Sequence, residues 1–297
     1  MLEQGIYSIT VTHNPKIGDG FLRKQLISLT DSGISPILVD NNSDNLCQIQ
    51  LLVESVSPSI RIIKLNNNYG IAKALNTGIT ECLQNQSTRW ILTLDQDTVI
   101  NDNTIEEFNK LTAPGNNGMA DIYGLNYFTI RFCRQRVINK KGKPYVTNFV
   151  ITSGMFVRRV VYETLKFNDK LFMYFIDDDF CTRARKLGYT IVQCQDAMMM
   201  HKEGERLLKG DNLYYVMKPS SIFYVGRNSI YMFFQHGRIK PFLYAIQTLL
   251  ENVIANYFVR DTLYSLARGL LAGIVQQISG DKSLSLSDPS HHRIGTP

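Results

Sequence analysis

Two hydrophobic periodicities alternate along the first hundred residues, and this alternation restricts the fold more than any other feature of the sequence. Short apolar or β-branched runs, each ending in polar or turn-forming residues, occupy positions 7–12, 36–40, 60–65 and 90–94. Apolar residues with helical spacing lie between them, near 21–29 and 71–83. This order predicts βαβ units and an α/β fold with a mostly parallel central sheet flanked by helices. Since open sheets of this kind bind ligands beyond the carboxyl ends of their strands, the polar residues there form the candidate site.

Composition supports a folded protein with anionic partners. Of 297 residues, 44% are hydrophobic and 20% charged, which allows a sizeable core, and the net charge of +6 favours nucleotides, phospholipids or nucleic acid. A basic cluster between Arg131 and Lys143 fits nucleic acid, but no recognisable nucleic-acid-binding module accompanies it. The sequence therefore predicts no nucleic-acid partner.

Cysteine usage and the N-terminus indicate a cytoplasmic protein. The five cysteines are scattered and none forms a Cys-x-x-Cys pair, which is typical of a reducing compartment. The N-terminus has no basic stretch followed by an apolar one, and no run approaches the roughly 18 apolar residues of a spanning helix. We expect neither a signal peptide nor a membrane-spanning segment.

A change of composition near residue 219 divides the chain. Residues 1–218 carry the α/β pattern and are predicted to form the catalytic domain. Residues 219–297 are predicted to form two or three amphipathic helices, broken near Gly237 and Pro241, with a frayed polar tail from Gly280.

Polar segments after the second and third strands can each be interpreted in two ways. Asp40 begins a turn, 40–43, in which a carboxylate could accept from a pyrimidine base, although such residues are also ordinary turn formers. Residues 66–78 follow the third strand and open a helix with small residues on one face. That arrangement suits a phosphate at the helix N-terminus or, equally, a capped helix packed closely on the sheet.

The strongest local signal is Leu94-Asp95-Gln96-Asp97, directly after the fourth strand. Two carboxylates at this position can hold Mg²⁺ or Mn²⁺ together with diphosphate oxygens, because these cations prefer hard oxygen ligands. His201 could be a third ligand, although a single histidine is more often a plain polar residue.

Three adjacent aspartates, Asp177, Asp178 and Asp179, begin a predicted helix over 177–187. Mutual repulsion should raise the pKa of at least one of them toward the range that suits a general base. Helix N-capping explains one of these aspartates well but not three.

Taken together, these segments resemble family 2 glycosyltransferases of the GT-A fold, and most closely the bacterial rhamnosyltransferase branch. The resemblance covers about residues 5–230. It rests on these segments: Val11-Thr12-His13-Asn14-Pro15, Val39 to Ser43, Asn68 to Gly78, Leu94 to Asp97, Asp177 to Arg183 and Arg227-Asn228.

The resemblance implies an inverting, metal-dependent hexosyltransferase. Its donor site would be formed by these residues: Thr12, Asn14, Asp40, Asn42, Asn68, Gly70, Lys73, Asn76, Asp95, Gln96, Ser153 and Gly154. Asp40 would contact the uracil or thymine ring. Asp95, Asp97 and His201 would hold the metal, and Asp177 would be the base, with Asp179 the carboxylate two residues on. Asp178 stands where the family has threonine or a small residue, which leaves the choice of base between Asp177 and Asp178 open.

The resemblance also implies the partners. The expected donor is dTDP-L-rhamnose, with a UDP-sugar (galactofuranose, galactose or glucose) as the alternative. The expected acceptor is a glycan on a polyprenyl diphosphate lipid, as in O-antigen, lipopolysaccharide or capsule synthesis, which places the enzyme at the inner face of the cytoplasmic membrane. The C-terminal helices would contact that membrane, pack on the catalytic domain or form a homodimer. A non-catalytic nucleotide-sugar-binding scaffold is the alternative outside the enzymes.

Overall fold

The computed structural model describes residues 5–113, 120–131, 134–137, 142–202, 206–209 and 212–279. The chain divides into two compact units. The first comprises Met1–Phe172 and Ile176–Glu203, and the second comprises Met173–Phe175 and Gly204–Pro297. The polar tail predicted from Gly280 and part of the basic cluster before Lys143 lie outside the described residues.

The first half of unit 1 is a parallel βαβ arrangement, as the alternating periodicities predicted. Its elements are β1 (Ile6–Thr12), α1 (Phe21–Asp31), β2 (Ser35–Asp40), α2 (Leu46–Val56), β3 (Arg61–Lys64), α3 (Ile71–Gln84) and β4 (Trp90–Asp95). These strands lie in the order β3-β2-β1-β4, and every neighbouring pair is parallel. All four therefore end at one edge of the sheet.

The second half of unit 1 continues the same sheet with mixed strand directions. Its elements are β5 (Thr98–Ile100), α4 (Thr104–Thr112), β6 (Ile122–Arg131), β7 (Arg134–Val137), β8 (Tyr145–Val146), β9 (Met155–Arg158), α5 (Arg159–Thr164), α6 (Ile176–Lys186) and β10 (Ile191–His201). Beyond β4 the order is β9-β6-β10-β5, with β6 and β10 parallel to each other and the other pairs antiparallel. Only the N-terminal half of the sheet is parallel throughout, because β9 enters beside β4 in the opposite direction.

Aromatic packing joins the two halves of the sheet to α4. The Phe108 ring of α4 stacks on Phe156 of β9 at 4.0 Å and meets Trp90 and Tyr123 edge-on. All four side chains are buried, so α4 covers the middle of the sheet with some of the largest apolar groups available.

In its described residues, unit 2 contains a strand pair and three long helices. Its elements are β11 (Arg206–Lys209), β12 (Asn212–Tyr215), α7 (Pro219–His236), α8 (Lys240–Ile254) and α9 (Val259–Ser279). α7 ends at Gly237, whose φ of 64° forms a left-handed cap, and Pro241 lies in the first turn of α8. The predicted breaks near Gly237 and Pro241 are confirmed. In the part of the chain that the structure describes, no helix combines the length and the apolar character needed to span a bilayer.

Candidate active site

The candidate site begins where β1, β2 and β4 end together. The register pairs Thr12 with Asp40 and Val11 with Asp95, so these strands deliver their last residues side by side. Because parallel neighbours share a carboxyl edge, the motifs after β2 and β4 are brought together although 55 positions separate their aspartates.

Asp40 is a buried carboxylate with both oxygens engaged. Its Oδ1 accepts from the Thr12 hydroxyl at 3.2 Å, and its Oδ2 accepts from the backbone N–H of Ser43 at 3.0 Å. Only 1% of Asp40 is exposed. These bonds hold the carboxylate in one orientation at the end of β2 and close the turn that follows it.

The loops after β1 and β2 are tied to each other. Asn14 donates through its backbone N–H to the Ser43 hydroxyl. Its side-chain amide donates to Asp44 Oδ2 at 3.1 Å, and its Oδ1 accepts from the backbone N–H of Asp44 at 2.7 Å. Asn14 and Asn42 both have positive φ, 47° and 65°, a conformation that asparagine tolerates better than most residues. The asparagines of these motifs therefore shape the loops.

Asn41 is a buried link that the sequence interpretation did not assign to the site. Its side chain donates to Asn68 Oδ1 at 2.8 Å and accepts from the backbone N–H of Tyr69 at 2.9 Å. Its carbonyl lies 3.1 Å from Nδ1 of His13. Through its side-chain amide and its backbone carbonyl, Asn41 thus joins the loops after β1, β2 and β3.

Asp95, Asp97 and His201 form an acidic cluster at this edge. Their ligand atoms all lie within 4.8 Å of one another. Asp95 ends β4, Asp97 lies in the turn before β5, and His201 ends β10, which pairs antiparallel with β5. The pairing of β5 with β10 thereby completes the cluster.

A buried hydrogen-bond network holds this cluster in place. Ser153 Oγ accepts from the backbone N–H of Asp95 at 3.0 Å and lies 2.7 Å from the Thr98 hydroxyl. The same Thr98 hydroxyl lies 2.7 Å from Nδ1 of His201. The Gln25 amide donates to the carbonyls of Asp95 and Thr98 at 2.7 and 2.5 Å. The network fixes both the acidic turn and the imidazole ring.

Electrostatics make the acidic cluster suited to a cation. Burial, together with repulsion from Asp95, raises the pKa of Asp97 to about 6, although His201 acts in the opposite direction. Burial raises the pKa of Asp95 as well. Two carboxylates and an imidazole whose second contact is fixed are a donor set that fits a divalent metal ion, since a cation would relieve the repulsion between the aspartates.

Gln96 faces away from this network toward β1. Its Oε1 accepts from the backbone N–H of His13 at 2.9 Å, and its Nε2 donates to the His13 carbonyl at 3.4 Å. Gln96 therefore fastens the acidic turn to the end of β1.

The three aspartates of α6 have different surroundings. Burial and the neighbouring Asp178 raise the pKa of Asp177 to about 7, and the charge of Asp95 adds to that rise. Asp177 is thus close enough to the acidic cluster to interact with it electrostatically. Asp179 is fully buried, and its Oδ2 accepts from Arg183 Nε at 2.8 Å, one helical turn later. Its charge is therefore paired within the helix.

Lys73 and Asn76 on α3 contact a different segment. The Asn76 side chain exchanges hydrogen bonds of 2.8 and 3.0 Å with the backbone of Phe167, and Lys73 pairs with Asp169 at 3.1 Å. Both residues bind the loop that follows α5, where they hold that loop on α3.

Positions 70 and 154 require glycine because of their backbone conformation and the close approach of neighbouring atoms. Their φ angles are both 82°, and a Cβ would lie 2.4 Å from the Phe172 carbonyl oxygen at Gly70 and 2.4 Å from Met199 Sδ at Gly154. The N–H of Ile71, the first residue of α3, already donates to that Phe172 oxygen at 2.7 Å. The close approach of chain segments accounts for the small residues at both positions.

Gln25, Asn41 and Thr98 are the residues that sequence reasoning missed. Gln25 and Thr98 are fully buried, and Asn41 is 2% exposed. A polar residue at an apolar position of α1 was the available signal for Gln25, because buried amides need hydrogen-bond partners. Asn41 is adjacent to Asp40 in the turn that had already been singled out.

Comparison with known proteins agrees with this geometry. Residues 21–165 match the profile described as glycosyl transferase family 2. The chain is also similar to the dTDP-rhamnosyl transferase RfbF of Shigella flexneri, with 26% identity over 275 residues, covering 85% of this chain and 87% of that protein.

Solved structures share the fold. S. aureus TarS in complex with UDP-GlcNAc superposes with a TM-score of 0.54 at 13% identity, over 93% of this chain and 92% of that chain. The mannosyltransferase PcManGT of Pyrobaculum calidifontis, in complex with GDP-Man and Mn²⁺, also gives 0.54, at 14% identity over 93% of this chain and 79% of that chain. Residues 21–165 therefore match a glycosyl transferase family 2 domain, and the chain shares the GT-A fold of these glycosyltransferase structures.

Proposed function

We propose that the protein transfers L-rhamnose from dTDP-L-rhamnose to a glycan carried on a polyprenyl diphosphate lipid, with inversion at the anomeric carbon. One observation carries this proposal: the cluster of Asp95, Asp97 and His201 lies near Asp177, whose pKa is raised to about 7 by burial and by Asp178, with a further contribution from the charge of Asp95. Diphosphate binding and proton removal can therefore take place in one site.

The donor assignment rests on the nucleotide end of the site and on one relative. Asp40, held by Thr12 and Ser43, lies at the carboxyl edge where a pyrimidine N–H could donate to it. The relative named dTDP-rhamnosyl transferase supports a thymidine nucleotide. Asn14, Asn42, Asn68, Gly70 and Gln96 would shape this pocket through the loops they hold.

Asp95, Asp97 and His201 would hold Mg²⁺ or Mn²⁺, which supplies electrostatic stabilisation of the leaving diphosphate when bound. Gln25, Thr98 and Ser153 would keep these ligands in place through the hydrogen bonds already described. Their contribution is to orient ligands so that less reorganisation is needed during transfer.

Asp177 is the base in this proposal. Its carboxylate takes the proton of an acceptor hydroxyl while that oxygen forms a bond to the anomeric carbon and the bond from that carbon to the diphosphate oxygen breaks. The nucleoside diphosphate leaves with the electron pair of that bond. A pKa of about 7 makes Asp177 a better proton acceptor than an ordinary aspartate and still leaves much of it ionised near neutral pH.

Thermal stabilisation by different nucleoside diphosphates tests the proposal. We expect dTDP with Mn²⁺ to raise the unfolding temperature more than UDP, GDP or CDP with Mn²⁺, since a ligand of the native state stabilises it in proportion to occupancy. A larger response to UDP would transfer the proposal to a UDP-sugar donor, as in the TarS complex with UDP-GlcNAc. Nucleotide binding without transfer to any lipid-linked acceptor would favour a nucleotide-sugar-binding scaffold.

The division of labour along the chain is also part of the proposal. Residues 1–218 would form the catalytic domain, and residues 219–297 would keep the enzyme at the inner face of the cytoplasmic membrane, where a polyprenyl-linked acceptor lies. A homodimer through the same helices is the alternative role for residues 219–297.

A further inference from the structure

Helix α8 buries its polar face and exposes its apolar face, the reverse of a helix on the surface of a soluble domain. It buries small or polar residues, namely Pro241, Ala245, Thr248 and Asn252. It exposes large aliphatic residues instead. We name these the α8 apolar face, which consists of Leu243, Ile246, Leu250, Val253 and Ile254. At 100° per residue, these five side chains fall within about one third of the helix circumference, opposite the buried set.

The exposure of this face is large. Leu243, Leu250 and Ile254 are 55%, 54% and 54% exposed, whereas a soluble helix turns such residues inward. The polar groups of the buried side are satisfied: Asn252 donates to the Met217 carbonyl at 2.8 Å and to the Thr262 hydroxyl at 3.1 Å. The orientation of α8 is therefore held by specific bonds that keep its aliphatic face outward.

Helix α9 has the same reversed pattern. Its buried residues are Thr262, Ser265, Leu266, Gly269, Ala272 and Gly273. Its exposed large residues include Leu263, Tyr264, Leu271, Ile274 and Ile278. A Cβ at Gly269 would lie 2.2 Å from the Phe223 carbonyl oxygen of α7, so α7 and α9 pack backbone against backbone. Close packing through small residues, with aliphatic residues outward, is the arrangement of helices surrounded by lipid.

Charge indicates which surface would cover these faces. The segment 219–279 carries five arginine or lysine residues and two acidic ones. Arg238 lies two residues before α8, Lys240 begins α8 and Arg260 lies in the first turn of α9, while the α8 apolar face itself contains no charged residue. The two acidic residues are Glu251 of α8 and Asp261 of α9. An aliphatic face bordered by cations complements an anionic phospholipid surface. A second copy of this chain would bring the same cations and would have to place them near one another.

We infer that the α8 apolar face enters the interfacial region of an anionic phospholipid bilayer, with α8 lying along the membrane and Arg238 and Lys240 contacting lipid phosphates. The outward aliphatic residues of α9 would extend the contact. This inference deepens the proposed function by identifying a membrane-binding surface, and it holds whichever sugar is transferred.

Co-sedimentation of the full chain with vesicles tests the inference. Phosphatidylcholine vesicles containing phosphatidylglycerol should bind the protein, and phosphatidylcholine alone should bind it less. The double variant L243Q/L250Q should lower partitioning by roughly tenfold or more, because keeping even one leucine out of an apolar environment costs about that factor. The variant R238Q/K240Q should lose most of the preference for the anionic vesicles.

The matched control is L51Q, the same change at a leucine of α2 that is 67% exposed. It should leave vesicle binding unchanged, and both L243Q/L250Q and L51Q should keep the unfolding temperature of the parent protein, since they alter only exposed side chains. Equal vesicle binding by L243Q/L250Q and L51Q would overturn the inference. So would a parent protein that is a dimer in solution, becomes monomeric through L243Q/L250Q and binds no vesicles.

Because vesicle binding needs neither nucleotide nor acceptor, its failure is separate from failure of the proposed transfer. Loss of membrane binding with intact dTDP stabilisation would refute only the inference about α8. Membrane binding without any nucleotide response would refute only the donor proposal.

Discussion

Asp177 and Asp179 lie two residues apart on α6, yet their surroundings give them different tasks. Asp177 is half-buried beside other carboxylates, and its pKa is raised to about 7. Asp179 is fully buried and bonded to Arg183. The first carboxylate can exchange a proton with a substrate near neutral pH, whereas the second holds an arginine in place.

The raised pKa of Asp177 predicts the pH dependence of transfer. The rate should rise with pH through about 7, because only the ionised carboxylate can accept the acceptor proton. D177N should lower kcat by roughly 10²- to 10⁴-fold and remove this rise. Steady-state transfer assays between about pH 5.5 and about pH 8.5, a range that brackets this pKa, measure both effects. An unchanged rate in D177N, with loss in D178N, would assign the base to Asp178.

Ionisation of Asp177 should also cost stability. The folded pKa of about 7 lies above the pKa of an unfolded aspartate, about 3.9, so the folded state binds the proton more tightly. The stability that this proton contributes is present at low pH and is lost as the pH rises between these two values. Above neutral pH, D177N should therefore unfold at a higher temperature than the parent protein, and near pH 4 the difference should vanish. A lower unfolding temperature for D177N at pH 8 would contradict this pH linkage.

The buried pair of Asp179 and Arg183 should matter for stability rather than for chemistry. R183M keeps much of the length of the side chain but removes the ion pair that the buried Asp179 carboxylate makes with Arg183, which should cost about 3 kcal/mol. Urea unfolding of R183M and of R185M, an exposed arginine on the same helix, measures the difference. Equal stabilities of the two variants would show that Asp179 is not dependent on Arg183.

At the residue scale, the sequence identified the acidic groups better than the residues that hold them. Asp95, Asp97 and His201 were predicted as a cluster, and the structure brings their ligand atoms together. The roles of Gln25 and Asn41 were not predicted, because the type of an amide residue does not reveal its hydrogen-bond partners. These partners include backbone atoms of other loops.

At the scale of elements, α1 supports the acidic turn from behind. Gln25 of α1 donates to the carbonyls of Asp95 and Thr98, which bracket that turn. Q25M keeps the side-chain volume but removes both donors, so the turn should lose its orientation and metal affinity should fall by roughly 10- to 100-fold. Titration with Mn²⁺ in the presence of dTDP measures this affinity. The control Q84M alters an exposed glutamine of α3 and should leave it unchanged.

The elements that sequence periodicity predicted are those with local signals. β1, β2, β4, α1, α3 and α6 all lie within a few residues of their predicted positions. α2 (Leu46–Val56) was not predicted, although it begins with helical spacing of apolar residues after the turn at Asp40. The antiparallel entry of β9 beside β4 could not be read from the sequence, because pairing direction depends on contacts between distant segments.

At the scale of the whole molecule, composition predicted the charge of the partner but not its chemical class. The net charge of +6 indicated an anionic ligand but could not distinguish a nucleotide from a lipid surface. The structure adds the burial of each helix: α1 and α3 bury most of their large aliphatic residues, whereas α8 and α9 turn most of theirs outward. Amphipathic periodicity alone gives the same pattern for both cases, since it does not reveal which face of a helix is covered.

The long separation between Thr98 and His201, 103 positions along the chain, has a consequence for folding. The aspartates at the end of β4 leave the ribosome well before β10, and native pairing of β5 with β10 must wait for most of unit 1 to be synthesised. High-affinity metal binding should therefore appear late in refolding, after the parallel half of the sheet has formed. The rate of metal binding during refolding would then measure the rate at which β10 pairs with β5, so that the metal serves as a probe for completion of the sheet.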